Sequence, residues 1–216
     1  MDKWASTFVN LDSIDYSGKK NLRRLKKLHF FKLTHPDDLI LDLFCGRCDT
    51  SYGLYECRPK IINGDLSFNL LKINKQVKNK IQLTSLQLPF KNDRFDAAII
   101  QGGLHHLKTF NQVAECLNEV KRVLKSNGYV FISEPGNTML LKVWVFLIKR
   151  TKLWTLTPYS RIWHSLYMQE EKTHSLYLHN NTKLFDYFKN NWEIKLHKAG
   201  LITEFFTLEK TVNRLA

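Results

Sequence analysis

Two carboxylates and the loop between them are the first residues whose spacing suggests chemistry. Leu39-Ile40-Leu41-Asp42-Leu43-Phe44-Cys45-Gly46-Arg47-Cys48-Asp49 is an apolar run with an acid near its end, followed by a tight loop around Gly46. Lys60-Ile61-Ile62-Asn63-Gly64-Asp65 is a second apolar run, ending in another carboxylate about 20 residues further on. Runs of this kind form buried parallel strands, and the loop opens a helix. In a doubly wound sheet the pattern marks a nucleoside site. The backbone approaches the ligand at the first turn, and the second acid accepts from the ribose hydroxyls. Each acid also has a structural alternative, Asp42 capping its loop and Asp65 capping the helix behind it. The position of Asp65 at a strand end favours the ligand.

His105-His106 follows an apolar strand, Ala97 to Gln101, at the sheet edge where active-site loops gather; Glu134 lies just past a later strand, Tyr129 to Ser133, at the same edge. Any of the three could remove a proton from an acceptor, a histidine titrating near neutrality being well suited. Support of the loop is the alternative role. His164, His174 and His179 are too scattered along the chain to assign. Cys45-x-x-Cys48 with Cys57 is spaced like half of a zinc site, but no second close pair and no nearby histidine follows. No metal is expected.

Positioning these groups requires alternating strands and helices. A basic amphipathic helix is expected over Gly18 to Leu33, with Leu22, Leu25, Leu28 and Phe31 near one face and its lysines and arginines solvated. Strands follow at about 39–43, 60–65, 81–84, 97–101 and 129–133. Helices are expected from Asp49 to about Cys57, from Ser67 with Leu70, Ile73 and Val77 inward, and from about Asn111 to Lys125 with Gly128 at its end. Thr138 to Ile148 is strongly apolar, and Tyr159 to Tyr187 is aromatic-rich without a clean period. A last helix over Thr182 to Lys198 and a strand over Ile202 to Leu208 close the chain, leaving Lys210 to Leu215 for a further arm. Such repeats make a parallel sheet with right-handed crossovers.

Downstream of the first two strands the text runs Leu88-Pro89-Phe90, Arg94-Phe95-Asp96, Gly103-Leu104-His105-His106-Leu107, Glu119-Val120-Lys121-Arg122-Val123-Leu124 and Ser133-Glu134-Pro135. This ordered series resembles the class I S-adenosylmethionine-dependent methyltransferases, specifically the type 11 branch that includes quinone-biosynthesis methyltransferases. The resemblance covers about residues 36–136. It implies an α/β, Rossmann-like doubly wound sheet, mostly parallel, with helices on both faces and an α-helical insert after strand five serving as a lid. The chain then divides within one domain into an arm and basic helix (1–35), a cofactor-binding core (36–136), an acceptor-side insert (137–181) and a last helix with a terminal strand (182–216).

The resemblance further implies S-adenosyl-L-methionine as cofactor. Asp42 with Phe44, Cys45, Gly46 and Cys48 would hold its methionine end, Asp65 the ribose, and Leu66 the flank of the adenine. Thr84, Ser85 and Leu86 would meet the adenine edge, and Gln101, Gly102 and Gly103 would line the methionyl side. Three positions depart from the family: Phe44 and Cys48 stand where its loop has glycine, and Thr84 where it has Asp or Asn.

At 216 residues one domain is expected, and no segment reaches transmembrane length, so a cytosolic location follows. The net charge of +13 favours anionic partners, or is simply a basic surface. The leading reading is methyl transfer to an O or C atom of a small-molecule or lipid-linked acceptor, with Thr138 to Trp154 able to touch an anionic membrane surface. An RNA methyltransferase is the alternative. Against it, Gln101-Gly102-Gly103-Leu104 stands where many base-amino methylases carry an Asn/Asp-Pro-Pro-aromatic tetrapeptide. A catalytically silent binding module of the same fold is the third reading.

Overall fold

The computed structural model describes residues 18–57 and 60–211. The N-terminal arm before Gly18, the Arg58-Pro59 helix stop and most of the terminal arm after Lys210 lie outside them. In chain order come α1 (Lys19–Lys27), α2 (Phe30–Leu33), β1 (Ile40–Leu43), α3 (Asp49–Leu54), β2 (Ile61–Asp65), α4 (Phe68–Leu71), β3 (Lys80–Gln82) and β4 (Phe95–Gln101). A 3-10 turn (Leu104–His106), α5 (Phe110–Val123), β5 (Leu124–Pro135), α6 (Met139–Arg150) and a second 3-10 turn (Lys152–Thr155) follow. Last are α7 (Pro158–His179), α8 (Asn181–Asn191), β6 (Glu193–Ala199) and β7 (Thr203–Glu209). Among the described residues no helix is long and apolar enough to cross a membrane.

The strands form one sheet in the order β3-β2-β1-β4-β5-β7-β6. β1 to β5 are parallel, and β7 lies antiparallel between β5 and β6. The central strands read as unbroken apolar runs because both their faces are covered. Ile40, Ala97, Ile99, Phe131 and Phe205 pack with Leu25 and Leu28 on the α1 side, whereas Leu41, Ala98, Ile100 and Ile132 pack with α5 and α8 on the other. Parallel strands in this order leave their carboxyl ends along one edge, and ligands bind there.

Four expectations need correction. The leading helix breaks at His29, whose φ is 60°. The break shifts the helical phase by one residue, so Phe30 is buried and Phe31 exposed. Ser67 does cap a helix, its hydroxyl accepting from Leu70 N at 3.3 Å, but that helix is only four residues long. Lys80 Nζ donates to the carbonyls of Leu71 and Asn74, both at 2.7 Å, and so takes up acceptors that a longer helix would use itself. Asn127, with φ 62°, makes the left-handed turn expected of Gly128, and both residues lie within β5. The last helix stops at Asn191, because Glu193 to Ala199 pairs with β7 as a strand. A bulge between Ile194 and Leu196 sends these two side chains to opposite faces of the sheet. It thereby erases the two-residue alternation that marks a strand. The terminal hairpin is therefore β6–β7.

The motif residues hold this frame together. Asp96, at the second position of β4, accepts from Leu39 N at 2.9 Å and from Lys125 Nζ at 2.6 Å, tying β1 and β5 to β4. Arg122 grips Glu119 through two bonds of 2.7 and 2.8 Å. It also donates to the carbonyls of Phe90 at 2.8 Å and Leu88 at 2.9 Å, while Glu119 accepts from Leu88 N at 2.7 Å. The Leu88-Pro89-Phe90 loop is thus pinned by one guanidinium–carboxylate pair on α5. Arg122 also donates to Asn92 Oδ1, and lysine cannot reproduce a planar fork that serves five acceptors. Arg122→Lys is expected to lower the unfolding free energy by about 1–3 kcal/mol in urea denaturation. A loss under about 0.5 kcal/mol would mean that the loop holds itself.

Candidate functional site

The loop after β1 turns through three left-handed residues, Phe44 (φ 58°), Gly46 (φ 53°) and Cys48 (φ 62°). Each non-glycine residue in that region costs about 1–2 kcal/mol, so its side chain must be held in place. The Phe44 ring lies flush on Gly103: a Cβ added there would sit 2.3 Å from the ring. Cys48 is fully buried against Cys45, Leu71 and Val77, turned into the core beside α4. The departures at Phe44 and Cys48 therefore keep the loop geometry that glycines would allow.

Asp65 clamps the loop from β2. Its Oδ2 accepts from Gly46 N and its Oδ1 from Ser67 N, both at 2.8 Å. Asp42 is 2% exposed, and burial raises its pKa to about 8. The Ser51 hydroxyl, 3.4 Å away, opposes that rise, and the charges of Asp65 and Asp49 add to it. At neutral pH Asp42 is therefore mostly protonated. Gln101 donates to Thr50 Oγ1 at 3.4 Å, while its own Oε1 is buried without a hydrogen-bond partner among the described residues.

The remaining predicted residues divide. Leu66 is 72% exposed beside Asp65, and Thr84 is exposed, its hydroxyl accepting from Leu86 N at 3.3 Å. Ser85 is buried with its hydroxyl on Cys116, and Leu86 packs against the core. Of these three, Thr84 is the one whose side chain stands open at the edge.

At the end of β4, Gly102 (φ 72°) and Gly103 lead into the 3-10 turn. Glu134, 1% exposed, binds that turn from the end of β5. Its Oε1 accepts from Gly103 N at 2.7 Å and Leu104 N at 2.9 Å, and its Oε2 meets His105 Nδ1 at 2.7 Å. On the other side of the ring, His105 Nε2 lies 3.3 Å from Glu170 Oε2, and His106 Nδ1 lies 3.6 Å from Glu170 Oε1. Burial disfavours charge on His105, yet its bonds to Glu134 and Glu170 outweigh that and raise its pKa to about 9. Glu134 stays ionised: burial is overcome by His105 and the two backbone donors. His106 and His174 are held below the ordinary histidine range, first by burial and then by the His105 charge.

Glu170 and His174 were not legible as site residues in the sequence. They share one face of α7 with Tyr167 and Tyr177, at spacings of three, four and three residues. The His174 ring lies 5.7 Å from that of His105 and 5.4 Å from that of Tyr167.

Residues 41–132 match the family model described as a methyltransferase domain, type 11. This stretch, less than half of the chain, is similar to the methyltransferase domains of that family. An uncharacterized protein of Methanocaldococcus jannaschii is 33% identical over 113 residues, which cover 51% of this chain and 46% of that protein. A demethylmenaquinone methyltransferase of Oceanobacillus iheyensis is 34% identical over 112 residues, covering 47% of this chain and 46% of that enzyme. The chain thus spans about half the length of the curated relatives it matches. In fold it is similar to magnesium protoporphyrin IX methyltransferase from Synechocystis, solved with bound S-adenosylhomocysteine, with a TM-score of 0.63. That similarity covers 90% of this chain and 84% of the other at 14% identity. The methyltransferase stretch takes in both loop acids and the histidine pair, whereas Glu134, Glu170 and His174 lie beyond it.

The Phe44–Gly103 contact couples the loops after β1 and β4. Gly103→Ala should destabilise the chain by about 1–3 kcal/mol through overpacking. Adding Phe44→Gly should recover most of that loss, because it removes the clash and relaxes a left-handed phenylalanine. A thermodynamic cycle over the two positions should show a coupling above about 1 kcal/mol, and simple additivity would disprove the contact's role.

Proposed function

We propose that this chain is an S-adenosyl-L-methionine-dependent methyltransferase acting on an O or C atom of a small, partly apolar acceptor, free or lipid-linked. The observation that carries this reading is the pairing, within the methyltransferase stretch, of a left-handed loop clamped by Asp65 with a buried acid, Asp42, beneath it. The cofactor fits the residues present. Gln101 Oε1 is a buried acceptor without a partner among the described residues, suited with Asp42 to an ammonium group. Asp65 closes β2 at the edge where doubly wound sheets bind ribose hydroxyls, and exposed Leu66 offers an apolar face to a base.

When bound, the cofactor supplies a methyl group on a sulfonium whose thioether leaves without an acid. The protein's own work is alignment and exclusion of water. Glu134 fixes the turn Gly103–His106, which forms the acceptor end, and an acceptor would lose its proton beside the histidine cluster there. α6 and α7 act as the lid.

Between α6 and α7 lies a hollow of about 450 Å³, walled by Leu141, Val145, Tyr167 and Leu178 with Lys142 and Lys149 beside them. An apolar wall with cations at its side supports a greasy acceptor bearing an oxyanion or acidic hydroxyl. Demethylmenaquinone methyltransferases among the relatives support a quinol-like ring in particular. α6 also exposes Met139, Leu140, Val143, Trp144 and Phe146, followed by Lys149, Arg150 and Lys152, a pattern suited to an anionic bilayer.

Calorimetry should show S-adenosylmethionine and S-adenosylhomocysteine binding, weakened at least about tenfold by Asp65→Asn. Asp42 must lose its proton to face a cation, so affinity should rise from pH 6 to pH 8 by up to about tenfold per unit and flatten above. Asp42→Asn should abolish that slope. No binding by folded wild-type chain would remove the proposal, and a pH-independent affinity would remove Asp42 from it.

For the membrane corollary, vesicles containing anionic lipid should sediment the chain at low salt, and Trp144→Ser with Phe146→Ser should release it. Equal sedimentation of the double variant would assign any binding to charge alone.

A further inference from the structure

We infer that His105, His106 and Glu170 form a binding site for a divalent transition-metal ion of the zinc type. One ligand atom from each lies within 4.8 Å of the other two. The His105–Glu170 and His106–Glu170 contacts are 3.3 and 3.6 Å, through the two oxygens of one carboxylate. A tetrahedral zinc with bonds of about 2.0–2.2 Å spaces its ligand atoms by roughly 3.3–3.6 Å, so a small turn of the Glu170 carboxylate that brings one oxygen toward both imidazoles would complete the set. Two imidazoles and a carboxylate are a donor set for zinc, cobalt or iron(II), and leave positions open for an exchangeable ligand.

The surroundings are those of a built site. Glu134, buried, meets His105 Nδ1 at 2.7 Å, so that Nε2 is the nitrogen turned toward Glu170. A carboxylate behind a histidine is how metal-binding imidazoles are oriented and made more basic. Glu134 is itself fixed by the N–H groups of Gly103 and Leu104, so the ring cannot swing away without breaking the turn. A second, independent observation is His174, one helical turn beyond Glu170 on α7. It is 6% exposed, its ring stands 5.7 Å from that of His105, and its Nδ1 has no hydrogen-bond partner among the described residues. The cluster thus includes a buried imidazole nitrogen, that of His174, which its hydrogen bonds do not engage.

The competing donor pair is Cys45 and Cys48, whose sulfurs are 3.7 Å apart in the loop after β1. Among the described residues no histidine or carboxylate completes a set with them. The metal at the acceptor end would take an acceptor hydroxyl as its exchangeable ligand. It would lower the hydroxyl's pKa so that the proton leaves to solvent, with His106 then a ligand and not a base. This role rests on the methyltransferase reading; the site itself does not.

The test is titration of the full chain, stripped with a chelator, with cobalt(II). One equivalent should bind with the visible bands of tetrahedral cobalt, without a thiolate charge-transfer band, and zinc should displace it. Glu170→Gln and His106→Ala, checked for native circular dichroism, should each weaken binding at least about tenfold. Absence of the bands, a thiolate band, or unchanged affinity in both variants would overturn the site. If a variant misfolds, X-ray absorption of the zinc-loaded wild type decides: imidazole scattering supports the site and sulfur scattering refutes it. Cofactor calorimetry on the same samples separates the two proposals. Cobalt binding without cofactor binding would leave the metal site and sink the methyltransferase reading, and the reverse result would do the opposite.

Discussion

A carboxylate shut away from water at the end of β5 is the constraint on which the acceptor side of this structure depends. Glu134 is ionised and 1% exposed, a state that costs several kcal/mol unless donors surround it. Two backbone N–H groups and one imidazole provide them. Because those donors belong to the turn after β4, neutralising one buried charge fixes the relative position of two strand ends. The turn cannot shift by an ångström without leaving Glu134 unsatisfied. Its left-handed Gly102 and Cβ-less Gly103 are the backbone conditions for bringing three donors to one carboxyl group.

The loop after β1 obeys the same logic with a different currency. Three left-handed residues in five would be an ordinary arrangement with three glycines, and here two carry side chains. Phe44 uses the space that Gly103 leaves empty, and Cys48 uses a small hydrophobic nook behind α4. Strain in the loop is thus offset by packing outside it. Gly103 serves both ends at once: its N–H satisfies Glu134 while its missing Cβ makes room for Phe44. That single residue ties the loop after β1 to the turn after β4.

The parallel sheet was legible in the sequence because buried strands leave continuous apolar runs, which survive without any knowledge of partners. The acids at the ends of β1 and β2 were legible for the same reason, since an ionisable side chain closing such a run has few structural uses. β6 was not, because the bulge before Leu196 replaced alternation with a spacing that mimics a helix through Trp192. The break at His29 was hidden because a left-handed histidine carries no signature of its own. α7 escaped for a chemical reason. Its inward face is Tyr167, Glu170, His174 and Tyr177, and a search for apolar period passes over a stripe made half of titratable groups.

That stripe also explains how labour is divided along the chain. Everything that would hold a nucleoside lies within residues 41–132, on strand ends whose positions the sheet dictates. The histidine–carboxylate cluster comes from two sources: the turn after β4, which the sheet fixes, and α7, which it does not. α7 reaches the turn by laying Glu170 between His105 and His106, so its register is set by charge and hydrogen bonding where a buried helix would ordinarily use apolar ridges. A helix held in that way can change its remaining residues, including those walling the hollow against α6, without disturbing the sheet. Under the proposed function, acceptor choice could therefore change independently of the nucleoside site, provided that Glu170 and the histidine pair keep their contacts.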